Sequence, residues 1–401
     1  MEVAFFTDSY PPIQDGVSAV TGGLARTLAR LGHSVRVYAP NPVLGASTEE
    51  TANGISVRRV RTVPVPLYGQ YRWPVWPFGL FRSARTVRDA DVVHIHTPGP
   101  LGSMGFLMAR QFGRPLVGTF HTNIREMQES VPSKLLVPTF FRVAWWYNLG
   151  TYWRCDVTTA PSTAARDTLM TSSRKPFRRP VEVIPNGIDV ERFRPDARVP
   201  DWRTRCGLPS GPLVTYLGRL TVDKGVHRFL DAVETALPHT DLVAIVGGQG
   251  PEEERVRDRL ARSPSLSAHV RYVGPVAESE KAALLAQSDL FVLPSTSDTS
   301  SIALLEAMAC GTPAIAPDSG GAAEIVEHGV TGWRVSMTAP GALAEALGKI
   351  LDVPTVRRQV GDHAAQFVRR SASLETMARR FISLYRLVGE QRSSRDVGLA
   401  A

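Results

Sequence analysis

The sequence is poor in cysteine and has no long run of hydrophobic residues. Its three cysteines, Cys155, Cys206 and Cys310, lie far apart without metal-ligand spacing, which argues against a disulfide-stapled module and a zinc domain. No apolar stretch reaches the roughly 18 residues needed to cross a membrane, and the start MEVAFFTD lacks the features of a signal peptide. These absences predict a cytoplasmic protein with free thiols.

Lysine is also scarce, although basic residues outnumber acidic ones by 46 to 38. Only five of the basic residues are lysines, and the arginines are spread along the whole chain, which indicates compositional bias instead of a nucleic-acid-binding stripe. The net charge of +8 still favours anionic partners such as phosphates and nucleotides. We therefore expect a phosphate-bearing partner and no nucleic acid.

The chain is long enough, at 401 residues, for two compact domains with separate cores. Hydrophobic residues make up 43% and charged residues 21%, as in typical globular proteins. The 33 glycines and 30 prolines indicate many structured turns.

The first forty residues predict the opening of a parallel sheet. An apolar run, Val3–Phe6, leads into a polar loop, Thr7–Gly16. A helical pattern then ends at Leu31, with Gly32 as its C-cap, before a strand at Ser34–Ala39. This order of elements is typical of a βαβ unit. Further strands in this half are predicted at Asp91–Ile95, Pro115–Phe120, Val157–Ala160 and Val181–Ile184.

The second half repeats the pattern. A strand at Leu213–Leu217 is followed by a loop, Gly218–Gly225, and by a helix with one apolar face from Val226 to Leu237. We expect two doubly wound α/β domains in tandem, with the linker inside the proline-rich segment Ile184–Pro212. Further strands are predicted at Leu242–Val246, Val270–Val273, Leu290–Leu293 and Pro313–Ala316.

The end of the chain predicts one more helix. The residues Met377, Phe381 and Leu384 have the spacing of a buried helical side within Leu374–Val388. The tail that follows, Gln391–Ala401, is polar, and we expect it to fray.

Two basic residues lie on the loop after the strand Leu213–Leu217. Loops in that position line the ligand crevice of open α/β sheets. Arg219 and Lys224 could therefore neutralise a diphosphate, Arg with a planar fork and Lys as a point charge. Taken alone, they are equally well explained as solvated surface charges.

The segment Pro294–Pro313 combines a loop rich in Ser and Thr with a helix. The amide groups at a helix start suit a bound phosphate. Asp298 and Glu306 are eight positions apart, about 12 Å along a helix, so an extended sugar nucleotide could contact both. The alternative is that Asp298 or Ser300 caps the helix and Glu306 is a solvated helix residue.

Nine short segments follow one another in a fixed order along nearly the whole chain. They are DGVS (15–18), HIHTPGPLG (94–102), GTFHT (118–122), PSTAARD (161–167), VIPNGID (183–189), GRLTVDKG (218–225), VGGQGPE (246–252), LLEAMACGTP (304–313) and GGAAEIVEHGVTGW (320–333). Together they resemble the retaining glycosyltransferases of family 4. The resemblance implies the α/β fold named GT-B, with two Rossmann-like doubly wound domains that face each other across a cleft. The implied division is an acceptor-side domain at 1–190, a donor-nucleotide domain at 191–375 and a helix and tail at 376–401 that return to the first domain.

The resemblance also assigns roles to single residues. Arg219 and Lys224 match the pair that holds the donor diphosphate, and Gly16 matches the glycine whose backbone approaches it. Glu306 matches the acid that binds ribose hydroxyls, and His121 matches the histidine beside the donor sugar. The implied catalytic residues are His121, Arg219, Lys224 and Asp298.

The sequence departs from the family pattern at one place. Asp298 stands where the family usually has Glu, and its side chain is shorter by one methylene, roughly 1.5 Å. The usual Gly-containing run after it is replaced by Thr299, Ser300 and Ser301, which are expected to bind the donor together with Asp298.

The resemblance implies a metal-independent, retaining transfer of a hexosyl unit from a nucleoside-diphosphate sugar to a hydroxyl, without a cofactor. Within the family, the sequence is similar to GDP-mannose-dependent α-mannosyltransferases and to glycolipid-forming members. GDP-mannose and UDP-hexoses are therefore both candidate donors. The alternatives are a non-catalytic nucleotide-sugar-binding protein and a sugar-nucleotide epimerase or hydrolase of similar fold. The sequence sets neither the acceptor nor the oligomeric state.

Three weaker signals have simpler explanations. Asp89-Ala90-Asp91 has the DxD form of metal-dependent transferases but directly precedes an apolar strand, which is a poor place for a hard cation. His94 and His96 share one face of that strand, where packing is favoured over ligand binding. The aromatic segments Leu135–Trp153 and Leu67–Phe81 are expected to form core or line an acceptor pocket, with peripheral contact to the inner face of a membrane as the alternative.

Overall fold

The computed structural model describes residues 1–43, 48–65, 68–74, 80–121, 137–173, 175–177, 179–197 and 201–400. The chain divides into two compact units. Unit 1 comprises Met1–Gly187 and Leu374–Ala401, and unit 2 comprises Ile188–Ser373. Each unit has a mainly parallel sheet with helices around it, as the strand and helix order predicted.

Unit 1 begins and ends with residues from opposite ends of the chain. Its strands are β1 (Glu2–Phe6), β2 (Ser34–Pro40), β3 (Thr48–Ala52), β4 (Ile55–Val60), β5 (Thr62–Val65), β6 (Tyr68–Pro74), β7 (Val92–Ile95), β8 (Leu116–Thr119), β9 (Val157–Ala160) and β10 (Val181–Val183). Its helices are α1 (Gly16–Arg30), α2 (Leu80–Asp89), α3 (Pro100–Gln111), α4 (Val137–Trp153), α5 (Thr163–Ser172) and α15 (Leu374–Ala400).

Within the described residues, eight strands of unit 1 form one sheet in the order β10-β9-β8-β7-β1-β2-β4-β3. Every neighbouring pair is parallel except β3 and β4, which form an antiparallel edge. Strands β5 and β6 pair separately. The order reverses between β1 and β7, and a reversal of this kind marks the ligand crevice of a doubly wound sheet.

Unit 2 contains the rest of the chain. Its strands are β11 (Leu213–Leu217), β12 (Val243–Gly247), β13 (Val270–Gly274), β14 (Leu290–Val292), β15 (Ala314–Pro317) and β16 (Gly332–Val335). Its helices are α6 (Trp202–Arg205), α7 (Val226–Ala236), α8 (Glu253–Arg262), α9 (Pro264–His269), α10 (Glu278–Gln287), α11 (Ile302–Ala309), α12 (Gly320–Ala323), α13 (Ala342–Leu351) and α14 (Pro354–Ser371).

The sheet of unit 2 has the order β13-β12-β11-β14-β15-β16, and its pairs are parallel. This is the Rossmann order, with its reversal between β11 and β14. The two ends of unit 2 lie side by side, because the Ile188 N–H donates to the Ala372 carbonyl over 2.9 Å.

Local sequence explains the elements that carry the candidate site. Helix α1 begins where Asp15 accepts from the Ser18 amide over 2.7 Å, and its buried side includes Leu24 and Leu28. The N-cap of helix α7 is Gly225, whose φ of 73° lies in the left-handed region that suits glycine. Its Phe229 is completely buried, so the helix is fixed on the sheet.

The predicted strands are confirmed, most within one residue at each end. All three cysteines are free, as predicted. The expectation of a frayed tail is wrong, because α15 continues to Ala400. Two contacts within unit 1 hold the first two residues of that tail: Arg392 pairs with Asp156 over 2.8 Å, and Arg179 donates to Gln391.

Candidate functional site

Three of the candidate residues of unit 2 lie at the carboxyl edge of its sheet, where the strand order reverses. Arg219 and Lys224 are on the loop after β11, and Asp298 is on the loop after β14. Because β11 and β14 are hydrogen-bonded neighbours, their following loops leave the sheet side by side. The topology thus brings together Lys224 and Asp298, which are 74 positions apart in the sequence.

The ammonium group of Lys224 makes an ion pair with Asp298, by direct contact of Nζ with Oδ1. The two side chains are only 14% and 13% exposed. The second oxygen of Asp298, Oδ2, is buried and has no hydrogen-bond partner in the described residues. The shorter Asp therefore reaches Lys224 and retains one unsatisfied acceptor, which is a costly arrangement for a buried carboxylate.

Asp223 is a buried residue of this site that the sequence analysis missed. Its Oδ2 accepts from the Ser297 hydroxyl over 2.9 Å and lies 3.9 Å from Nζ of Lys224, and its carbonyl accepts from the Thr296 amide over 3.0 Å. Burial opposes its ionisation, but hydrogen-bond donors and the Lys224 ammonium outweigh burial and lower its pKa. Asp223 thus joins the two loops. Its place directly before Lys224 was the available signal.

The residues after Asp298 lead into helix α11. Ser301 is the N-cap, since its hydroxyl accepts from the Leu304 amide over 3.3 Å. The capping role considered for Asp298 or Ser300 is therefore taken by Ser301. Thr299 and Ser300 lie between Asp298 and Ser301 in the sequence. The Asp298 carbonyl accepts a hydrogen bond from the Gly321 amide over 3.1 Å. This bond anchors the loop backbone at the edge of the sheet.

Glu306 lies inside helix α11 and is buried, so it is not the solvated helix residue of the alternative reading. Burial raises its pKa, while the ammonium group of Lys281, 3.8 Å from Oε2, opposes the rise. Lys281 also pairs with Glu278, which in turn pairs with Arg192 over 3.0 Å. Two of the five lysines thus lie against the two acids of the Asp298–Glu306 segment.

The loop after β1, beside the strand-order reversal between β1 and β7, leads to the candidate residue Gly16 of unit 1. Gly16 is the first residue of α1, directly after the Asp15 cap. Asp8, on the same loop, accepts from the Thr97 hydroxyl and the Leu101 amide over 3.0 Å each, so it caps the start of α3. Burial raises the pKa of Asp8 to about 6 despite these hydrogen bonds.

His121 follows β8 and lies in a buried cluster of three histidines. Its Nε2 is 3.1 Å from Nδ1 of His96, and the rings of His96 and His94 are 3.9 Å apart. Both nitrogens of His94 are used, by Tyr385 over 2.7 Å and Thr119 over 2.6 Å. Burial lowers the pKa of His121 to about 4 and the pKa values of the other two well below the usual range, so the cluster is neutral at pH 7.

The weaker metal signals are explained by ordinary contacts. Asp91 accepts from the Glu2 amide over 2.8 Å, and Asp89 pairs with Arg88 over 3.5 Å. The direct contact between His96 and His121 leaves no place for an ion between those nitrogens. No group of three His, Cys, Asp or Glu side chains that could hold a metal occurs in the described ranges.

The aromatic helix α4 has two different sides. Phe141, Trp145 and Leu149 are buried in the core of unit 1, as expected for part of the segment. Val143 and Tyr147 are 62% and 47% exposed on the opposite side. Some residues of the predicted motifs lie outside the described residues, namely Leu67, Trp76, Phe78, Thr122, Leu135 and Leu136. No helix in the part of the chain that is described is long and apolar enough to span a bilayer.

Two family descriptions match the chain. Residues 14–192 match the family described as Glycosyltransferase Family 4. Residues 201–367 match the family described as Glycosyl transferases group 1. The matches fall almost entirely on unit 1 and unit 2, respectively.

Individual proteins are similar over most of the chain. A GDP-mannose-dependent alpha-mannosyltransferase of Mycobacterium tuberculosis is 31% identical over 338 residues, 83% of each chain. An alpha-monoglucosyldiacylglycerol synthase of Streptococcus pneumoniae is 27% identical over 326 residues, covering 79% of this chain and 71% of that protein. Among solved structures, Anabaena HepE in complex with UDP has a TM-score of 0.75 at 21% identity, covering 96% of this chain and 99% of that one.

Proposed function

Since the chain belongs to family 4 of the glycosyltransferases and has their GT-B fold, we propose that it is a retaining, metal-independent hexosyltransferase. Its donor is a nucleoside-diphosphate sugar, and its acceptor carries a hydroxyl group. The single observation that carries this proposal is the pair of cations, Arg219 and Lys224, at the strand-order reversal of unit 2 beside Asp298 and the start of α11.

The chemistry follows from these residue types. When the diphosphate leaves, negative charge grows on its oxygens and positive charge grows at the anomeric carbon. Arg219, Lys224 and the amides at the start of α11 stabilise the departing phosphate, and electrostatic stabilisation of this kind is usually the largest catalytic contribution. A phosphate oxygen takes the proton of the acceptor hydroxyl, which attacks the same face of the sugar. No cofactor or metal ion enters this scheme.

The other candidate residues hold the donor. Glu306 accepts from the ribose hydroxyls, Gly16 lets the backbone approach the diphosphate, and Asp298 with Thr299, Ser300 and Ser301 contacts the donor. Neutral His121 hydrogen-bonds a sugar hydroxyl. Its burial and low pKa support this role, because a neutral imidazole does not add positive charge next to the developing cation.

The donor is proposed to be GDP-mannose or a UDP-hexose. The GDP-mannose-dependent relative supports the first, and the UDP complex of the structural neighbour supports the second. Unit 1 would bind the acceptor. The glycolipid-forming relative makes a lipid one candidate acceptor, beside small molecules and glycosides.

The test is a mass-spectrometric screen of nucleotide sugars against acceptor extracts, followed by NMR of the product. We expect a hexose adduct with the anomeric configuration of the donor and full activity in EDTA. An inverted product would refute retention, and loss of activity in EDTA with recovery by a divalent ion would refute metal independence. Donor consumption without any adduct would favour a hydrolase or epimerase, and donor binding without turnover would favour a binding protein.

We also propose that unit 1 contacts an anionic membrane surface through helices α3 and α4. Leu107 and Val143 are 52% and 62% exposed, and Tyr147 donates to Ser103, so the two helices lie together. Neither helix contains an acidic residue, and Arg110 is exposed. Exposed apolar side chains beside arginine are typical of interfacial helices.

Sedimentation with anionic vesicles tests the contact. Replacing Leu107 and Val143 by Asp should abolish co-sedimentation, whereas Val356→Asp, at an exposed valine of unit 2, should not. Equal binding by all three proteins would refute the assignment of this surface.

A further inference from the structure

The contact between Lys224 and Asp298 uses the ammonium group that the proposed function assigns to the donor diphosphate. Both side chains are largely buried, so little water screens the pair. A diphosphate that binds Lys224 must therefore share the ammonium group with a carboxylate or displace it. The two anions also repel each other when they lie beside the same cation.

Asp298 can accept more hydrogen bonds than the described residues of unit 2 supply. Its Oδ1 contacts Lys224, while its Oδ2 is buried without a partner in the described residues. An ionised carboxylate only accepts, so a hydroxyl donor on a bound sugar would satisfy it. A nucleoside diphosphate without its sugar brings no such donor to this position.

The backbone of Asp298 is held while its side chain is able to change partner. The Gly321 amide donates to its carbonyl, and the Thr296 amide before it donates to the Asp223 carbonyl. A change of hydrogen-bond partner at Asp298 would therefore move only two side chains, the short one of Asp298 and the long one of Lys224.

We propose that Asp298 is a specificity-determining residue that distinguishes the sugar-bearing donor from the sugar-free nucleoside diphosphate. This inference rests on the proposed function of the same site. With the donor bound, a sugar hydroxyl donates to Asp298 and leaves Lys224 to the diphosphate. After transfer the hydroxyl departs with the sugar, Asp298 returns to Lys224, and the diphosphate is released. The exchange moves hydrogen bonds only and breaks no covalent bond.

The test is calorimetric binding of UDP and GDP to the full chain and to Asp298→Asn. We expect Asp298→Asn to bind the preferred nucleoside diphosphate about tenfold more tightly, because Lys224 is no longer neutralised by a partly buried carboxylate. The nucleosides uridine and guanosine, which lack phosphate, should bind both proteins equally. In steady-state assays the product inhibition constant of Asp298→Asn should fall by a similar factor.

Two controls isolate the contact. Asp241→Asn makes the same charge change at an exposed residue of unit 2 and should leave the affinity unchanged. In a Lys224→Met background, Asp298→Asn should no longer tighten binding. Thermal unfolding of each variant shows whether it is folded. If Asp298→Asn is not folded, Asp298→Ser replaces it in the binding measurements.

Unchanged or weaker binding by folded Asp298→Asn would overturn the inference. Equal tightening by Asp241→Asn, or tightening that persists without Lys224, would also overturn it, because either result points to a general charge effect. If the wild-type chain binds neither UDP nor GDP, the proposed function itself fails, and this outcome differs from all the others.

Discussion

Replacing Lys224 by Met should damage stability and activity for two separable reasons. Lys224 lies between Asp298 and Asp223, whose side chains are 13% and 8% exposed. Without the ammonium group, two buried carboxylates face each other with no cation between them. Loss of one partner of a buried pair costs about 3 to 5 kcal/mol, and because this pair is slightly exposed we expect a loss of about 2 to 4 kcal/mol.

The loss of activity has another origin. Lys224 would stabilise charge on the departing diphosphate only as the sugar leaves, so its removal should lower kcat/KM by two to three powers of ten, about 3 to 4 kcal/mol. Adding Asp298→Asn to Lys224→Met removes one of the two uncompensated charges and, with it, the repulsion between the two carboxylates. The double variant should therefore regain most of the stability and none of the activity.

Urea unfolding combined with hydrogen exchange of peptides from β11 and α7 measures the stability of this part of unit 2, and steady-state kinetics measure activity. Lys349→Met is the matched control, because Lys349 pairs with Glu345 in an exposed position, where the side chains are 74% and 65% exposed. We expect no measurable loss there. The reasoning is refuted if Lys224→Met is as stable as Lys349→Met, or if Asp298→Asn fails to restore stability.

Three further changes test other parts of the molecule. Burial raises the pKa of Asp8 from 3.8 to about 6, so the contribution of Asp8 to stability is present below about pH 4 and is lost as the pH rises through about 6. Relative to Asp8→Asn, the unfolding free energy of the wild type should therefore fall by about 3 kcal/mol over that range. A constant difference between the two proteins would contradict the burial argument. His96→Phe removes the partner of His121 Nε2 and should lower kcat about tenfold with little change in donor KM, whereas an unchanged kcat would show that His96 does not orient His121. Gly225→Ala should lower the unfolding free energy by more than the about 1 to 2 kcal/mol that a left-handed alanine costs, because its Cβ would lie 2.3 Å from the Pro294 carbonyl oxygen. Gly341→Ala is the control, since Gly341 has nearly the same φ but no atom within 4 Å of the added Cβ. In urea unfolding it should show the conformational cost alone.

The strands that sequence could predict are those buried on both faces. Val157–Ala160 and Leu213–Leu217 are continuous buried runs, as parallel strands covered by helices require. The strands between Thr48 and Pro74 were missed. Thr48–Ala52 is fully exposed and polar, and only its pairing with β4 makes it a strand. Pairing partners are not encoded in local hydrophobicity.

The candidate site, too, could be predicted from the sequence only in part. The order of elements places Arg219 and Lys224 on the loop after one strand and Asp298 on the loop after another. The pairing of Lys224 with Asp298 and the joining role of Asp223 depend on side-chain reach and burial across distant segments, which spacing along the chain does not contain. The helical tail was missed for a similar reason, since Arg392 is held by Asp156, which lies in the distant turn between α4 and β9.

The path of the chain through unit 1 sets an order for its synthesis. Unit 1 needs α15, because Tyr385 of that helix hydrogen-bonds the buried His94. A ribosome therefore delivers the complete sequence of unit 2 before it delivers the closing helix of unit 1. Unit 2, whose ends adjoin at Ile188 and Ala372, can form its sheet while the N-terminal half still waits for its last structural element.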